Sequence, residues 1–191
     1  MRTLLTRDAE TSPGDGQFIV DAFDSTLPYL TSIGSGEQWG PVPFSERPGF
    51  IQETLDSVSQ SEEFCRTGTG EAIRVLLCEF EITQELLPTG SRIRTDDSGN
   101  LVCSVGTAVL RENWIPSYIS EHITLNDRLA EQRLKDGFIY LEVMVTDYRL
   151  GLYRRGAGAA LIQAAKEYGK LKGKKILYVD AWAGNGRRLV Q

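Results

Sequence analysis

The segment over residues 137–185 constrains the fold of this chain more than any other. Residues 138–145 form an apolar run with the length of a buried strand, and residues 175–179 form a second, shorter run. Between them, a glycine-containing loop leads into a helical pattern that ends at Gly173. The order strand, glycine loop, helix, strand predicts a βαβ unit. The apolar residues predicted to share one face of its helix are Ala160, Leu161, Ala164, Ala165, Tyr168 and Leu171.

The loop before this helix is predicted to bind an anion. The first turn of a helix has backbone N–H groups without partners, and its dipole adds about half a positive charge. Gly156 and Gly158 leave these amides accessible, and Arg154 and Arg155 add formal charge. This combination favours a phosphate or diphosphate site.

Two common phosphate-binding motifs are absent from this loop. A dinucleotide-binding loop needs a third glycine where this chain has Leu161. A P-loop ends in Gly-Lys-Ser/Thr, which does not occur here.

The segment resembles the GNAT superfamily of acyl-CoA-dependent N-acetyltransferases. Their signature, Gln/Arg-x-x-Gly-x-Gly/Ala, follows a strand that ends in an apolar triplet with a final Val. Here Gly156-Ala157-Gly158 supplies the glycines and Val143-Met144-Val145 the triplet, and Asn185 lies where the family has an Asn after the next strand. The Gln/Arg position falls on Tyr153, or on Arg155 if the frame moves by two residues.

The resemblance implies acetyl-CoA as co-substrate, with its pantetheine arm between two splayed parallel strands. The backbone of the apolar triplet would bind the pantetheine, and the Val145 N–H is expected to polarise the thioester carbonyl. In the family, the Asn precedes a helix that carries a proton-donating Tyr, followed by two further strands. Since the sequence ends at Gln191, we expect one GNAT-like domain over residues 1–191 that lacks those strands. The residues predicted to bind the coenzyme are Val143, Met144, Val145, Arg154, Arg155, Gly156, Ala157, Gly158, Ala159 and Asn185.

Glu142 is the predicted catalytic residue. Alternation along the strand puts Phe138, Tyr140, Glu142 and Met144 on one face and Ile139, Leu141, Val143 and Val145 on the other. A carboxylate within an apolar strand is costly to bury without a partner or a task, and burial raises its pKa toward the value that suits a general base. The alternative is a structural ion pair with Arg74, Arg111 or a surface lysine.

The substrate side is less specific. In GNAT proteins the loop between the first two helices borders the acceptor pocket, which implies Glu37, Gln38 and Trp39 as amine contacts, with Trp182 as a wall. The alternative is an exposed loop with Trp39 packed onto the core. No residue matches the family's proton donor, although Tyr148, Tyr153 and Tyr178 are available.

Composition narrows the function further. A net charge of −5 gives no electrostatic support for nucleic-acid binding and suits a cationic amine. Cys65, Cys78 and Cys103 show no metal-binding spacing, and a lone His122 rules out a histidine metal cluster. The N-terminus has no long apolar run, so we expect a cytoplasmic protein without a membrane span, while a homodimer stays open as the assembly state.

The rest of the chain predicts an α+β fold, with antiparallel strands before the βαβ unit. A first strand over 2–7 precedes a helix over 17–33, in which Pro28 predicts a kink or break. Ser45 is the predicted cap of a second helix that continues to Phe64. Residues 72–82 and 101–110 are predicted antiparallel partners, and residues 125–134 a polar helix.

Three functions fit these observations. The first is an N-acetyltransferase that moves an acetyl group from acetyl-CoA to an amine of a small molecule or a peptide. The second is an acyl-CoA-binding module without catalytic activity, and the third is a phosphate-ligand protein unrelated to CoA.

Overall fold

A six-stranded sheet is the centre of the fold. The computed structural model describes residues 3–12, 14–83, 86–121, 127, 129–132, 135 and 137–187. The strand order is β1-β2-β4-β5-β6, and β3 pairs with β4 beyond the end of β5. The strands are β1 (Leu4–Asp8), β2 (Ile73–Glu81), β3 (Ile93–Thr95), β4 (Leu101–Glu112), β5 (Ile139–Thr146) and β6 (Leu177–Val179). All these pairs are antiparallel except β5 and β6, which confirms the predicted α+β class.

Helices cover both faces of this sheet. The helices are α1 (Asp15–Ser32), α2 (Phe50–Thr67), α3 (Ser117–Ser120) and α4 (Ala157–Leu171), and short 3₁₀ turns occupy 36–38, 44–46 and 148–154. One apolar cluster packs α1 and α2 on the sheet, with Phe18, Phe23 and Val58 among its buried members. A second cluster packs α4 on the opposite face through Leu161 and Ala165. None of the helices in the described ranges is long and apolar enough to cross a bilayer.

The strands β5 and β6 are paired over only part of their length. Ile139, Tyr140 and Leu141 lie beside Leu177, Tyr178 and Val179, and the pairing ends there. β5 continues to Thr146 along β4, so the edge of β5 that faces away from β4 has no strand beside it over residues 142–146 in the described structure. The predicted separation of these two parallel strands is therefore present.

β5 also contains a β-bulge that the sequence analysis did not anticipate. Leu110 of β4 lies opposite Leu141, whereas its neighbour Val109 lies opposite Val143, so Glu142 is the extra residue. A bulge reverses the alternation of side chains beyond it. Ile139 and Leu141 consequently pack in the cluster on the α4 face, while Val143 and Val145 pack in the cluster on the α1 and α2 face. The prediction that these side chains share one face is wrong.

Other differences have local causes. α1 does not end at Pro28, because the packing of its apolar face outweighs one missing N–H donor. Ser45 lies in a 3₁₀ turn and hydrogen-bonds Asp24, whereas α2 begins after Gly49. Leu171 is 84% exposed rather than packed on the sheet. The predictions for His122 and for much of the helix over 125–134 lie outside the described residues.

The three cysteines differ in their exposure. Cys78 and Cys103 are fully buried in the sheet, and Cys65 is exposed. Burial raises the pKa of the Cys78 thiol to about 12. Cys78 therefore packs as a small apolar side chain.

Candidate functional site

The open edge of β5 exposes backbone groups at alternate residues. Asp147 donates its N–H to Val105 of β4, and strand amides alternate in direction. The amides of Val143 and Val145 therefore point toward β4, and those of Met144 and Thr146 point toward the open side. This corrects the expectation that the Val145 N–H is the one available to a ligand.

The open edge leads to the first turn of α4. Gly156 precedes this helix with φ of 93°, a left-handed conformation that favours glycine, and no side chain of the described residues caps the turn. The first backbone bond of the helix runs from the Ala160 N–H to the Gly156 carbonyl. The amides of residues 157–159 precede that bond and have no backbone acceptor outside the helix in the described structure. The predicted anion site thus has free donors.

Gly158 lies where the helix meets the strand. A Cβ added to Gly158 would lie 3.5 Å from Met144 Cε, which is an ordinary van der Waals contact. A methyl group therefore fits at this position. The two predicted coenzyme-binding segments, the apolar triplet and the glycine loop, are adjacent in space.

The two arginines of the loop have different surroundings. The Arg154 guanidinium lies 3.6 Å from the centre of the Tyr148 ring and donates to Thr146 Oγ1 at 3.3 Å. Tyr29 stacks on the same Tyr148 ring with a centroid distance of 4.4 Å. Arg155 is exposed. Arg154 is thus fixed beside the end of β5, and Arg155 extends into solvent next to the free amides.

Glu142 lies on the opposite side of the sheet from α4. Its Oε2 accepts from Arg111 Nε at 2.6 Å, and Arg111 Nη1 donates to Glu71 at 3.0 Å. The Glu142 side chain is 31% exposed, so the bulge brings it to the surface instead of burying it among apolar residues. The ion-pair alternative is present, and Arg111 is the partner.

Glu142 and Arg111 line a cavity of about 450 Å³ between α1, α2 and the sheet. Its floor is apolar, and its rim carries more carboxylates than cations. The lining comprises Ile19, Phe23, Phe50, Glu53, Thr54, Asp56, Ser57, Gln60, Glu71, Val75, Val109, Arg111, Glu142 and Val143. Among the described residues of this lining, Arg111 is the one cation, against the carboxylates of Glu53, Asp56, Glu71 and Glu142. The cavity therefore suits a molecule with an apolar body and a positive charge.

Two tyrosines share a carboxylate where β5 and β6 separate. Tyr140 and Tyr118 each donate a hydrogen bond to Asp180, and the Tyr118 bond is 2.7 Å long. Burial raises the pKa of Tyr140, and the bond to Asp180 raises it further. Burial and the hydrogen bond to Asp180 raise the pKa of Tyr118, and the negative charge of Glu142 raises it further.

Sequence reasoning missed this group. Tyr140 lies two residues before Glu142, so the strand alternation was a usable signal. Asp180 and Tyr118 have no such signal, because they reach the strand only through the tertiary fold.

The tyrosines named from the sequence lie in contacts with aromatic rings or a guanidinium instead. Tyr148 contacts both Tyr29 and Arg154, and Tyr153 stacks on Phe80 with ring centres 5.8 Å apart. Tyr178 packs edge-on against Phe138.

Several predicted residues lie away from both the cavity and the loop. Asn185 donates to the Ile33 carbonyl and to Ser35 Oγ, at 2.8 and 2.7 Å, so it links the C-terminal segment to the end of α1 instead of facing the strand edge. Trp182 lies against Gly184, where a Cβ would be 2.0 Å from its ring.

The predicted acceptor loop is also outside the cavity. Trp39 packs on Phe23 and Phe44, with ring centres 5.5 and 5.4 Å apart, which is the core-packing alternative. Glu37 is exposed and Gln38 partly buried in the same loop, and neither lines the cavity.

Comparison with solved structures finds acetyltransferases. No family model matches the chain, and no curated protein matches it significantly. The chain is similar to an aminoglycoside acetyltransferase from an uncultured soil metagenomic sample, with 14% identity, a TM-score of 0.46, and coverage of 96% of this chain and 83% of that one. It is also similar to a Trypanosoma brucei acetyltransferase, with 18% identity, a TM-score of 0.39, and coverage of 94% and 84%.

A third similar structure is the ribosomal-protein-alanine N-acetyltransferase of Brucella melitensis biovar Abortus 2308. Here the identity is 14% and the TM-score 0.44, with coverage of 98% of this chain and 87% of that one. All of these TM-scores are below 0.5.

Proposed function

We propose that this protein is an N-acetyltransferase that moves an acetyl group from acetyl-CoA to a primary amine. The observation that carries the proposal is the continuity of the open β5 edge with the uncapped first turn of α4. CoA contains an amide-rich arm and a diphosphate, and these two features recognise such groups.

The open edge of β5 suits the pantetheine arm. Amide groups pair with the backbone of a free strand edge, as an added strand does. The identity of the side chains on that strand is then of little importance. The Met144 N–H points into the gap and is placed to donate to the thioester carbonyl, where negative charge develops during acyl transfer. Gly158 adds no side chain of its own where the helix meets the strand, and its neighbour there is the Met144 side chain.

The first turn of α4 suits the diphosphate. The amides of residues 157–159 supply donors, and the helix dipole favours a negative charge there. Arg155 adds an exposed positive charge, and Arg154 adds one that is held by Tyr148 and Thr146. Acetyl-CoA supplies the activated acetyl group when bound.

The cavity on the other face suits the acceptor amine. Its apolar floor, with Phe23 and Phe50, matches an aliphatic or aromatic body, and its carboxylates match an ammonium group. Glu142 lies at the edge where this cavity reaches β5. The proposed acceptor is therefore an amine with an apolar body, either a small molecule or a peptide.

Glu142 is the proposed proton acceptor. An acceptor that enters as an ammonium ion first releases one proton to solvent, because only the neutral nitrogen can attack. The nitrogen then forms a bond to the acetyl carbon and the carbon–sulfur bond breaks. The second proton that the nitrogen loses goes to Glu142, which returns it to the departing thiolate to give free CoA. General-base assistance of this kind is worth about 10²- to 10⁴-fold in rate.

Two measurements test the proposal on the whole chain. Release of free thiol from acetyl-CoA, followed with a panel of aliphatic, aromatic and peptide amines, should depend on the amine. Calorimetric titration should show binding of CoA and none of ATP at the same concentration.

The outcomes distinguish the alternatives. CoA binding without turnover for any amine would indicate a non-catalytic acyl-CoA-binding module. Equal binding of ATP and CoA would indicate a phosphate-ligand protein instead.

A further inference from the structure

Arg111 makes more contacts than an isolated surface ion pair requires. Its Nε donates to Glu142 at 2.6 Å, its Nη1 donates to Glu71 at 3.0 Å, and its guanidinium lies 4.7 Å from the centre of the Trp114 ring. The Arg111 side chain is only 17% exposed, whereas Glu71 is 66% exposed. The guanidinium is thus held from three directions at the rim of the cavity.

We propose that Arg111 is the positioning residue for the acceptor amine and for Glu142. This inference depends on the proposed function, because it assigns a partner to the proposed proton acceptor. Arg111 binds Glu142 through Oε2, and no hydrogen bond to Oε1 is present among the described residues. Oε1 is therefore the oxygen that takes the amine proton.

The bulge explains why a positioning residue is needed. A bulged residue lacks the regular neighbours that restrict a side chain within a ladder, and a glutamate has several rotatable bonds. At 31% exposure, Glu142 has room to adopt other rotamers. The planar guanidinium, which stacks on Trp114, restricts the carboxylate to one direction.

The formal charges around Arg111 also favour a cationic amine as the acceptor. Arg111 with Glu71 and Glu142 has a formal charge of −1, because two carboxylates share one guanidinium. An acceptor that enters as a monovalent ammonium neutralises this group. Arg111 thereby keeps Glu142 directed at the cavity without occupying both of its oxygens.

Steady-state kinetics of the Arg111→Met, Arg111→Lys and Arg74→Met variants test this role. We expect Arg111→Met to lower kcat by about 10- to 100-fold, since misplacement of a reacting group by about 1 Å has effects of this size. The KM for acetyl-CoA should not change. Arg111→Lys should recover part of the loss, because an ammonium supplies the charge but not the planar fork.

Arg74→Met is the matched control. Arg74 also pairs with a carboxylate, Asp8 at 2.5 Å, and also lies over an aromatic ring, that of Tyr168 at 4.5 Å. It lines neither the cavity nor the α4 loop, so its kcat should equal that of the wild type. Thermal unfolding of each variant separates a loss of folded protein from a loss of rate.

The double variant Arg111→Met with Glu142→Gln decides whether Arg111 acts through Glu142. Residues that act as a unit give non-additive effects, so the double variant should be about as slow as the slower single variant. If the effects of the two substitutions on kcat multiply, or if Arg111→Met leaves kcat unchanged, the role of Arg111 is overturned and the proposed function is not. A wild-type protein without amine-dependent turnover would overturn the proposed function and this role with it.

Discussion

Replacement of Gly158 by Glu is expected to remove CoA binding without unfolding the protein. Gly158 is helical, and a Cβ there meets Met144 at 3.5 Å, so the backbone and the space near it tolerate a side chain. A carboxylate in the first turn also interacts favourably with the helix dipole, by about 0.3–1 kcal/mol. The fold should therefore be as stable as in the wild type or slightly more so.

The magnitude follows from the position of the new charge. A carboxylate at residue 158 lies beside the amides of residues 157–159, where the diphosphate is proposed to bind. Two like charges about 4 Å apart repel by about 1 kcal/mol at the dielectric constant of water and by about 4 kcal/mol at an effective value near 20. Since about 1.4 kcal/mol is a tenfold change in Kd, CoA affinity should fall by about 5- to 1000-fold.

Calorimetric titration with CoA at low and high ionic strength measures this effect. Salt screens charges that water can reach, so the difference from the wild type should shrink at about 1 M salt. Gly158→Ala is the control, because it adds a methyl group in ordinary contact with Met144 but no charge. A Gly158→Glu protein that binds CoA as tightly as Gly158→Ala would refute the assignment of the diphosphate to this turn.

Three further outcomes are expected. Glu142→Gln should lower turnover about 10²-fold or more with unchanged CoA affinity, and full activity would remove Glu142 from the mechanism. Tyr140→Phe should lower the free energy of unfolding by about 1.5–3 kcal/mol in urea titrations, because it removes a hydrogen bond to a carboxylate. Since burial and Asp180 raise the pKa of Tyr140 above its ordinary 10.0, this difference should hold below pH 10 and shrink at higher pH. Burial opposes ionisation of Glu79, but hydrogen bonds from Arg94 and Arg7 outweigh this effect and lower the pKa of Glu79 below 4.5. The free energy of unfolding should therefore fall as the pH drops below 4.5, and it should fall less in Glu79→Gln.

The βαβ unit was predictable because each of its parts has a local signal. Residues 138–145 are apolar, Gly156 supplies the left-handed conformation before α4, and Gly173 follows the end of the helix with φ of 68°. Antiparallel pairing of β2 with β4 followed from two apolar runs around a turn-rich connection. The short β3 was missed, since three residues with no apolar pattern give no strand signal.

The candidate site was only partly predictable. The loop over 154–159 and the triplet over 143–145 are each local, and the structure brings them together. The cavity is not local, because its lining comes from α1, α2 and several strands. Arg111 was one of several candidate partners of Glu142, and only the register of β4 against β5 selects it.

The bulge at Glu142 explains how one short strand contributes to both faces of the sheet. In a regular strand Glu142 and Met144 would point to the same face, and Val143 and Val145 to the other. In this β5, Glu142 and Val143 both line the cavity, as the two residues of a bulge do when they oppose a single partner residue. Met144 is then directed to the α4 face, where it lies beside Gly158. The extra residue therefore gives the acceptor cavity its carboxylate and gives the coenzyme side its contact with the helix, and a strand without it would lose one of the two.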